Sequence, residues 1–207
     1  MVFTGIVEGT GIVTDIVHSK NLSELTVQTS TEFCQGIKIG ASVCVDGVCL
    51  TVCNIENDKL KFDIMMETLS VTTFNTIKNG DVVNIERSMK LGDEIGGHLL
   101  SGHVSDTVTI SNIETPENNR ILTFQTSSEI LKYIFPKGYV ALNGVSLTIG
   151  EVDKAKKTFN VYLIPETLRL TNLQNKLVGD RINIEIETQT RNMVDTISEI
   201  SKESIHG

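Results

Sequence analysis

The chain has 207 residues, 40% of them apolar and 21% charged, with a formal net charge of −8. That length holds one large domain or two of about 100 residues. An acidic balance without a Lys/Arg cluster argues against nucleic acid or a membrane surface as partner, and no apolar run reaches the ~18 residues of a membrane span.

The opening segment, MVFTGIVEGTG, has no basic residue and no long apolar core, so it does not read as a secretory signal. The four cysteines, Cys34, Cys44, Cys49 and Cys53, form no CxxC pair and have no neighbouring histidine. No metal site is expected from them, and free thiols fit a reducing, cytoplasmic setting. Val45–Val52 then reads VDGVCLTV, with Asp46-Gly47 between short apolar runs. This is a hairpin signal, because both residues tolerate positive φ. Leu142–Ile149 spells nearly the same thing, LNGVSLTI, around Asn143-Gly144.

The two stretches belong to a longer repeat. Thr4-Gly5-Ile6-Val7 matches Ser101-Gly102-His103-Val104, and Cys49 matches Ser146, both at an offset of 97 residues. Glu67-Thr68-Leu69 matches Glu166-Thr167-Leu168, and Asn84-Ile85-Glu86 matches Asn183-Ile184-Glu185, at an offset of 99. The extra two residues fall in the loop Asp153–Lys157. Four blocks in one order indicate tandem duplication. In Arg181–Glu187 the apolar residues alternate strictly, as in a half-buried strand. Many short strands in each half predict two closed β-barrels, which leave no exposed edge. The predicted boundaries are 1–97 and 98–189. Residues 190–207 depart from this pattern. Met193, Ile197, Ile200 and Ser204 fall at helical spacing with Val194 and Ile205 beside them, and Thr190 is the expected N-cap.

The chemistry-bearing positions are few. No GxGxxG opens a helix and no P-loop is present. Gly96 and Gly97 read as a tight bend between barrels. His98 and His103 are five apart, which on a strand puts them on opposite faces and argues against a metal pair. His103 replaces Ile6 inside an otherwise preserved block and is a candidate for function. Cys49 and Ser146 each offer a small polar group followed by Leu and Thr (Thr51, Thr148). Such neutral donor–acceptor groups suit a neutral heterocycle or a polyol, and Thr68 and Thr167 extend the same wall. Two similar pockets imply two copies of a similar ligand. They differ at Ile6/His103, Ser42/Tyr139, Cys49/Ser146 and Asp63/Tyr162, which assigns unequal parts to the two bound molecules.

FTGIVEGTG, the paired VDGVCLTV and LNGVSLTI, METL and PETL, GGHLLSGHV, PKGYV and NVYLIPETL together resemble the trimeric, lumazine-binding two-barrel family of riboflavin synthases. Val2 is inserted after Met1, and Glu187 stands where that family has Asp. The resemblance implies an all-β fold of two tandem Greek-key six-stranded barrels plus a C-terminal helix that holds a homotrimer. It implies dismutation of two molecules of 6,7-dimethyl-8-ribityllumazine without metal or cofactor, with both molecules held between barrels of neighbouring subunits. A non-catalytic lumazine-binding antenna protein is the alternative. By resemblance the first pocket uses Gly5, Ile6, Val7, Cys49, Leu50, Thr51, and then Asp63, Ile64, Met65, Met66, Glu67 and Thr68. The second uses Gly102, His103, Val104, Ser146, Leu147, Thr148, and then Tyr162, Leu163, Ile164, Pro165, Glu166 and Thr167. Lys137 would reach a neighbour's pocket. His103, Ser146 and Cys49, with Ser42 and Glu187 behind them, are the residues implied for proton transfer or activation of a nucleophile.

Overall fold

Asp46 and Asn143 each have φ of 45°, and Gly47 and Gly144 follow at 85° and 79°. These are the left-handed turns predicted for both hairpins, and each joins two strands at close range. The computed structural model describes residues 2–20, 22–117 and 119–206, with the backbone alone at 203–206.

The first half contributes β1 (Gly9–His18), β2 (Leu22–Gln28), α1 (Thr31–Cys34), β3 (Ser42–Val45), β4 (Val48–Glu56), β5 (Lys59–Met65), α2 (Met66–Val71) and β6 (Val82–Arg87). The second half repeats the series with β7 (Asp106–Glu114), β8 (Arg120–Gln125), α3 (Ser128–Leu131), β9 (Tyr139–Leu142), β10 (Val145–Asp153), β11 (Thr158–Leu163), α4 (Pro165–Leu170) and β12 (Arg181–Ile186). The strands close into two antiparallel barrels ordered β1-β2-β5-β4-β3-β6 and β7-β8-β11-β10-β9-β12. The halves correspond element for element in the same order.

Each barrel has its own core. Phe62 and Phe74 fill the first, Phe124 and Phe159 the second, each 0–1% exposed. Burying such a side chain contributes about 1.5–3 kcal/mol. The barrels meet through Phe3, Cys44, Leu100 and Ala141, and Phe3 and Leu100 exchange two backbone hydrogen bonds of 2.9 Å. The two hairpin turns also touch: a Cβ on Gly47 would lie 2.8 Å from the Gly144 amide nitrogen.

β12 corrects one expectation. Strict alternation makes β12 half-buried, yet its polar residues Asn183 and Glu185 are only 1% and 4% exposed. The outer face of β12 is covered by the other barrel. Asn183 Nδ2 donates to the Asp46 carbonyl at 2.8 Å, and its Oδ1 accepts from the Thr73 amide at 2.8 Å. Asn84 of β6 mirrors it, donating to the Asn143 carbonyl at 2.9 Å and accepting from the Asn172 amide at 2.7 Å.

The C-terminal helix, α5, spans Thr188–His206, two residues earlier than the periodicity gave. Thr190 does not cap it. The Glu187 carboxylate does, accepting from the Gln189 and Thr190 amides at 2.9 and 2.7 Å and from Thr190 Oγ1 at 2.6 Å. An anion at the positive end of a helix is favourable. Val194 packs on the second core. Asp195 accepts from Tyr133 Oη at 2.6 Å and from Lys132 Nζ at 3.0 Å. Met193, Ile197 and Ile200 are 65%, 58% and 58% exposed. The Ser204 and Ile205 side chains lie outside the described residues.

Candidate functional site

Alternation along β4 and β10 decides which side chains reach a pocket. Leu50 and Leu147 point into the barrel cores at 4% and 8% exposed. Cys49, Thr51, Ser146 and Thr148 therefore face outward. On the neighbouring strands Ile64 and Leu163 are likewise core residues at 0% exposed. Asp63 and Met65, and Tyr162 and Ile164, open outward beside them. Residues 66–68 and 165–167 form the first turns of α2 and α4 and close each wall. Leu50, Ile64, Leu147 and Leu163 thus shape the pockets from behind.

The leading segments are exchanged between halves. Sequence order pairs Gly5-Ile6-Val7 with Cys49 and Gly102-His103-Val104 with Ser146. In the fold the Ser146 amide donates to the Gly5 carbonyl, and the Cys49 amide to the Gly102 carbonyl, both at 2.9 Å. Val7 joins the second core and Val104 packs on the first. Each segment leaves its own barrel before the first strand and lies against the other. The contact is tight. A Cβ on Gly5 would sit 2.6 Å from Ser146 Cβ, one on Gly102 2.5 Å from Cys49 Cβ, and both glycines have positive φ. Only glycine fits such an approach. Gly97 forms the predicted bend and also packs closely, since its Cβ would meet the Thr4 carbonyl at 2.2 Å.

A buried carboxylate fastens each segment. Glu86, 4% exposed, accepts from the Thr4 amide at 2.7 Å, Thr4 Oγ1 at 2.9 Å and the Gly5 amide at 3.2 Å. Glu185 accepts from the Ser101 amide and Oγ, both at 2.8 Å, and from the Gly102 amide at 3.0 Å. Burial pushes both carboxyls up against these hydrogen bonds, Glu86 to about 7. Neither residue was singled out from the sequence, although both lie in the repeated Asn-Ile-Glu block.

The two mouths differ chemically. His98 and His103 lie outside the strands, so the opposite-face argument does not apply. His98 Nδ1 is 2.6 Å from Ser146 Oγ, and its ring stacks on Tyr139 with centroids 5.4 Å apart. Burial lowers the His98 pKa against the opposing charge of Glu187. The His98 ring and the Ser146 hydroxyl share one short hydrogen bond. The other ring nitrogen, Nε2, has no hydrogen-bond partner among the described residues. Partial burial raises Glu187, but bonds from Thr190 and Gln189, then the charge of His98, outweigh it and hold the carboxyl low. In the first half the position matching His98 is Met1, outside the described residues.

At the other mouth, burial raises the Cys49 thiol while a hydrogen bond with Ser42 opposes it. Cys49 is thus a neutral donor–acceptor and not a standing thiolate. Ser42 is the first residue of β3 and is buried. His103 is exposed and sits one residue beyond the Gly102 that contacts Cys49. Lys137 is exposed in the turn before β9, at φ of 66°, and its amide donates to the Ile149 carbonyl at 2.9 Å on the Ser146 strand. Among the described residues, no group of three His, Cys, Asp or Glu gathers as a metal site. A groove of about 490 Å³ between the barrels, walled by Asp46, Asp81, Lys176 and Arg181, holds none of the predicted site residues.

Two like barrels, each with an outward-facing wall completed by the leading segment of the other half, define a duplicated β-barrel protein. The lumazine binding domain model matches residues 4–88 and again 101–187. The chain belongs to the lumazine-binding domain family and carries that domain twice. It is 45% identical to riboflavin synthase of Escherichia coli (strain K12) over 199 residues, 96% of this chain and 92% of that protein. It is 43% identical to riboflavin synthase of Chlamydia pneumoniae over 198 residues, 96% of each. Among solved structures it resembles LumP complexed with riboflavin, at a TM-score of 0.84 and 25% identity over 90% of this chain and 100% of that one. LumP complexed with 6,7-dimethyl-8-(1'-D-ribityl) lumazine matches at 0.81, with 25% identity over 90% and 99%.

Proposed function

We propose that the chain acts as a riboflavin synthase. Two molecules of 6,7-dimethyl-8-ribityllumazine dismutate: one donates a four-carbon unit to the other, giving riboflavin and 5-amino-6-(ribitylamino)uracil. The observation that carries this reading is the unlike chemistry of the twin walls, a hydroxyl hydrogen-bonded to a histidine at Ser146 against a thiol at Cys49. Identical reactants need such a difference to take opposite roles. Identity of 45% to a riboflavin synthase over 96% of the chain supports it.

Holding two reactants face to face removes translational and orientational freedom worth about 7–11 kcal/mol. Proton transfer by a positioned group adds a factor of about 10²–10⁴. Positioning is the larger contribution. Ser146, hydrogen-bonded to His98, takes a proton from the acidic 7-methyl group of its lumazine or activates a nucleophile at ring carbon 7. Cys49, Ser42 and His103 serve the second molecule. Thr51, Thr148 and the first turns of α2 and α4 hold the ring and ribityl groups.

The pockets are open walls: Met65, Ile164 and Tyr162 are 64%, 60% and 48% exposed. A second copy of the chain closes each one, first barrel against second, with Lys137 reaching across. The apolar face of α5, Met193 and Ile197, joins three copies. The four free cysteines fit the reducing cytoplasm, and no described helix is long and apolar enough to cross a membrane.

The test is direct. Purified protein given the lumazine alone produces riboflavin absorbance, and Ser146→Ala and His103→Gln each slow turnover at least about tenfold with the fold retained. Stable lumazine fluorescence without conversion points instead to the binding-only antenna reading, and unchanged rates in both variants remove the catalytic assignment.

A further inference from the structure

Each buried carboxylate serves the barrel opposite its own. Glu86 is on β6 of the first barrel, yet the segment it grips, Thr4-Gly5, presents its carbonyl to Ser146 of the second. Glu185 is on β12 of the second barrel and grips Ser101-Gly102 against Cys49 of the first. The two sets correspond bond for bond. Even the hydroxyl that donates to the carboxylate also accepts from the next amide, Ile6 to Thr4 at 3.3 Å and His103 to Ser101 at 3.2 Å. Three donors converge on each carboxylate, and no other side-chain type of that size presents two acceptor oxygens at once.

The geometry points to Glu86 and Glu185 as cross-wired positioning residues: Glu86 sets the Ser146 pocket and Glu185 sets the Cys49 pocket. The proposal rests on the reading of both pockets as lumazine sites. It goes beyond that reading by tying each pocket to a residue of the opposite barrel that touches no ligand. Gly5 and Gly102 have no room to shift toward Ser146 or Cys49, so loosening a segment moves it away and opens that pocket alone. Glutamine preserves the shape of the latch but turns one acceptor into a donor that faces the glycine amide. Glu86→Gln and Glu185→Gln are therefore the informative substitutions.

Titration of the full chain with riboflavin, which is not turned over, followed by fluorescence, counts sites and affinities. Glu86→Gln weakens one site class at least about tenfold and leaves the other unchanged, and Glu185→Gln does the reverse. Double-mutant cycles identify the pockets: Glu86→Gln couples with Ser146→Ala and adds simply with Cys49→Ala, while Glu185→Gln couples with Cys49→Ala. General destabilisation would weaken both classes together. That result, additivity in every cycle, or coupling of each glutamate to the pocket of its own barrel overturns the proposal. If the glutamine variants fail to fold, Thr4→Val and Ser101→Ala, which each remove one bond, must give the same selective pattern, and equal effects at both pockets overturn it. Wild-type protein that binds lumazine without making riboflavin retires the synthase reading, and the titrations still decide the latch.

Discussion

Asp46 and Asn143 hold the same turn position in the two halves, one a carboxylic acid and the other its amide. Asp46 Oδ1 accepts from the Asn84 amide at 2.7 Å and from Asn172 Nδ2 at 2.9 Å, bonds an asparagine oxygen makes equally well. Burial raises the Asp46 pKa to about 6, Lys176 opposes this, and Asp81 adds to it. A carboxyl raised in the folded state favours folding while protonated. That contribution is full below about pH 4 and is lost as pH rises through about 6. The change is on the order of 3 kcal/mol. Asp46→Asn is expected to raise the melting temperature above pH 6 and to match wild type near pH 4, as thermal unfolding across that range will show. The repeat marks Cys49, Ser42, Ser146 and His103 because it aligns each with an unlike partner in the other half. It does not mark Glu86, Glu185 and His98, because their partners lie 48 to 84 positions away in the chain.

At the level of elements, strands and turns followed from alternation and from Asp-Gly and Asn-Gly. The two exceptions share one cause. β12 alternates as if one face met solvent, and the leading segments read as parts of their own halves, until the second barrel covers that face and receives those segments. Local pattern records that a residue is polar and does not record what satisfies it. The crossing segments are also where substitution costs most. Gly102→Ala combines positive φ with a Cβ 2.5 Å from Cys49 Cβ, and is expected to lose roughly 1–3 kcal/mol in urea unfolding together with most turnover. Gly9→Ala, with nothing within 4 Å, is the control and is expected to be near neutral.

For the molecule as a whole, α5 is held by Val194, Asp195 and the Glu187 cap, while Met193 and Ile197 face outward. Both barrels close without it. Removing residues 191–207 is therefore expected to leave folded barrels that sediment as monomers and turn over little lumazine. A fully active monomer would contradict a site shared between subunits. Within one chain neither wall is closed: each has two strands and a short helix, with one side open.

The sequence by itself determined the duplication, the two barrels, the hairpin turns and the positions where the copies diverge, because these are properties of spacing and local conformational preference. Only the tertiary structure decided which half completes which pocket, that Ser146 rests on His98, and that two glutamates are buried across the barrel interface. Those facts depend on contacts between residues far apart in the chain, where burial turns an ordinary carboxylate or imidazole into a group that must find a partner.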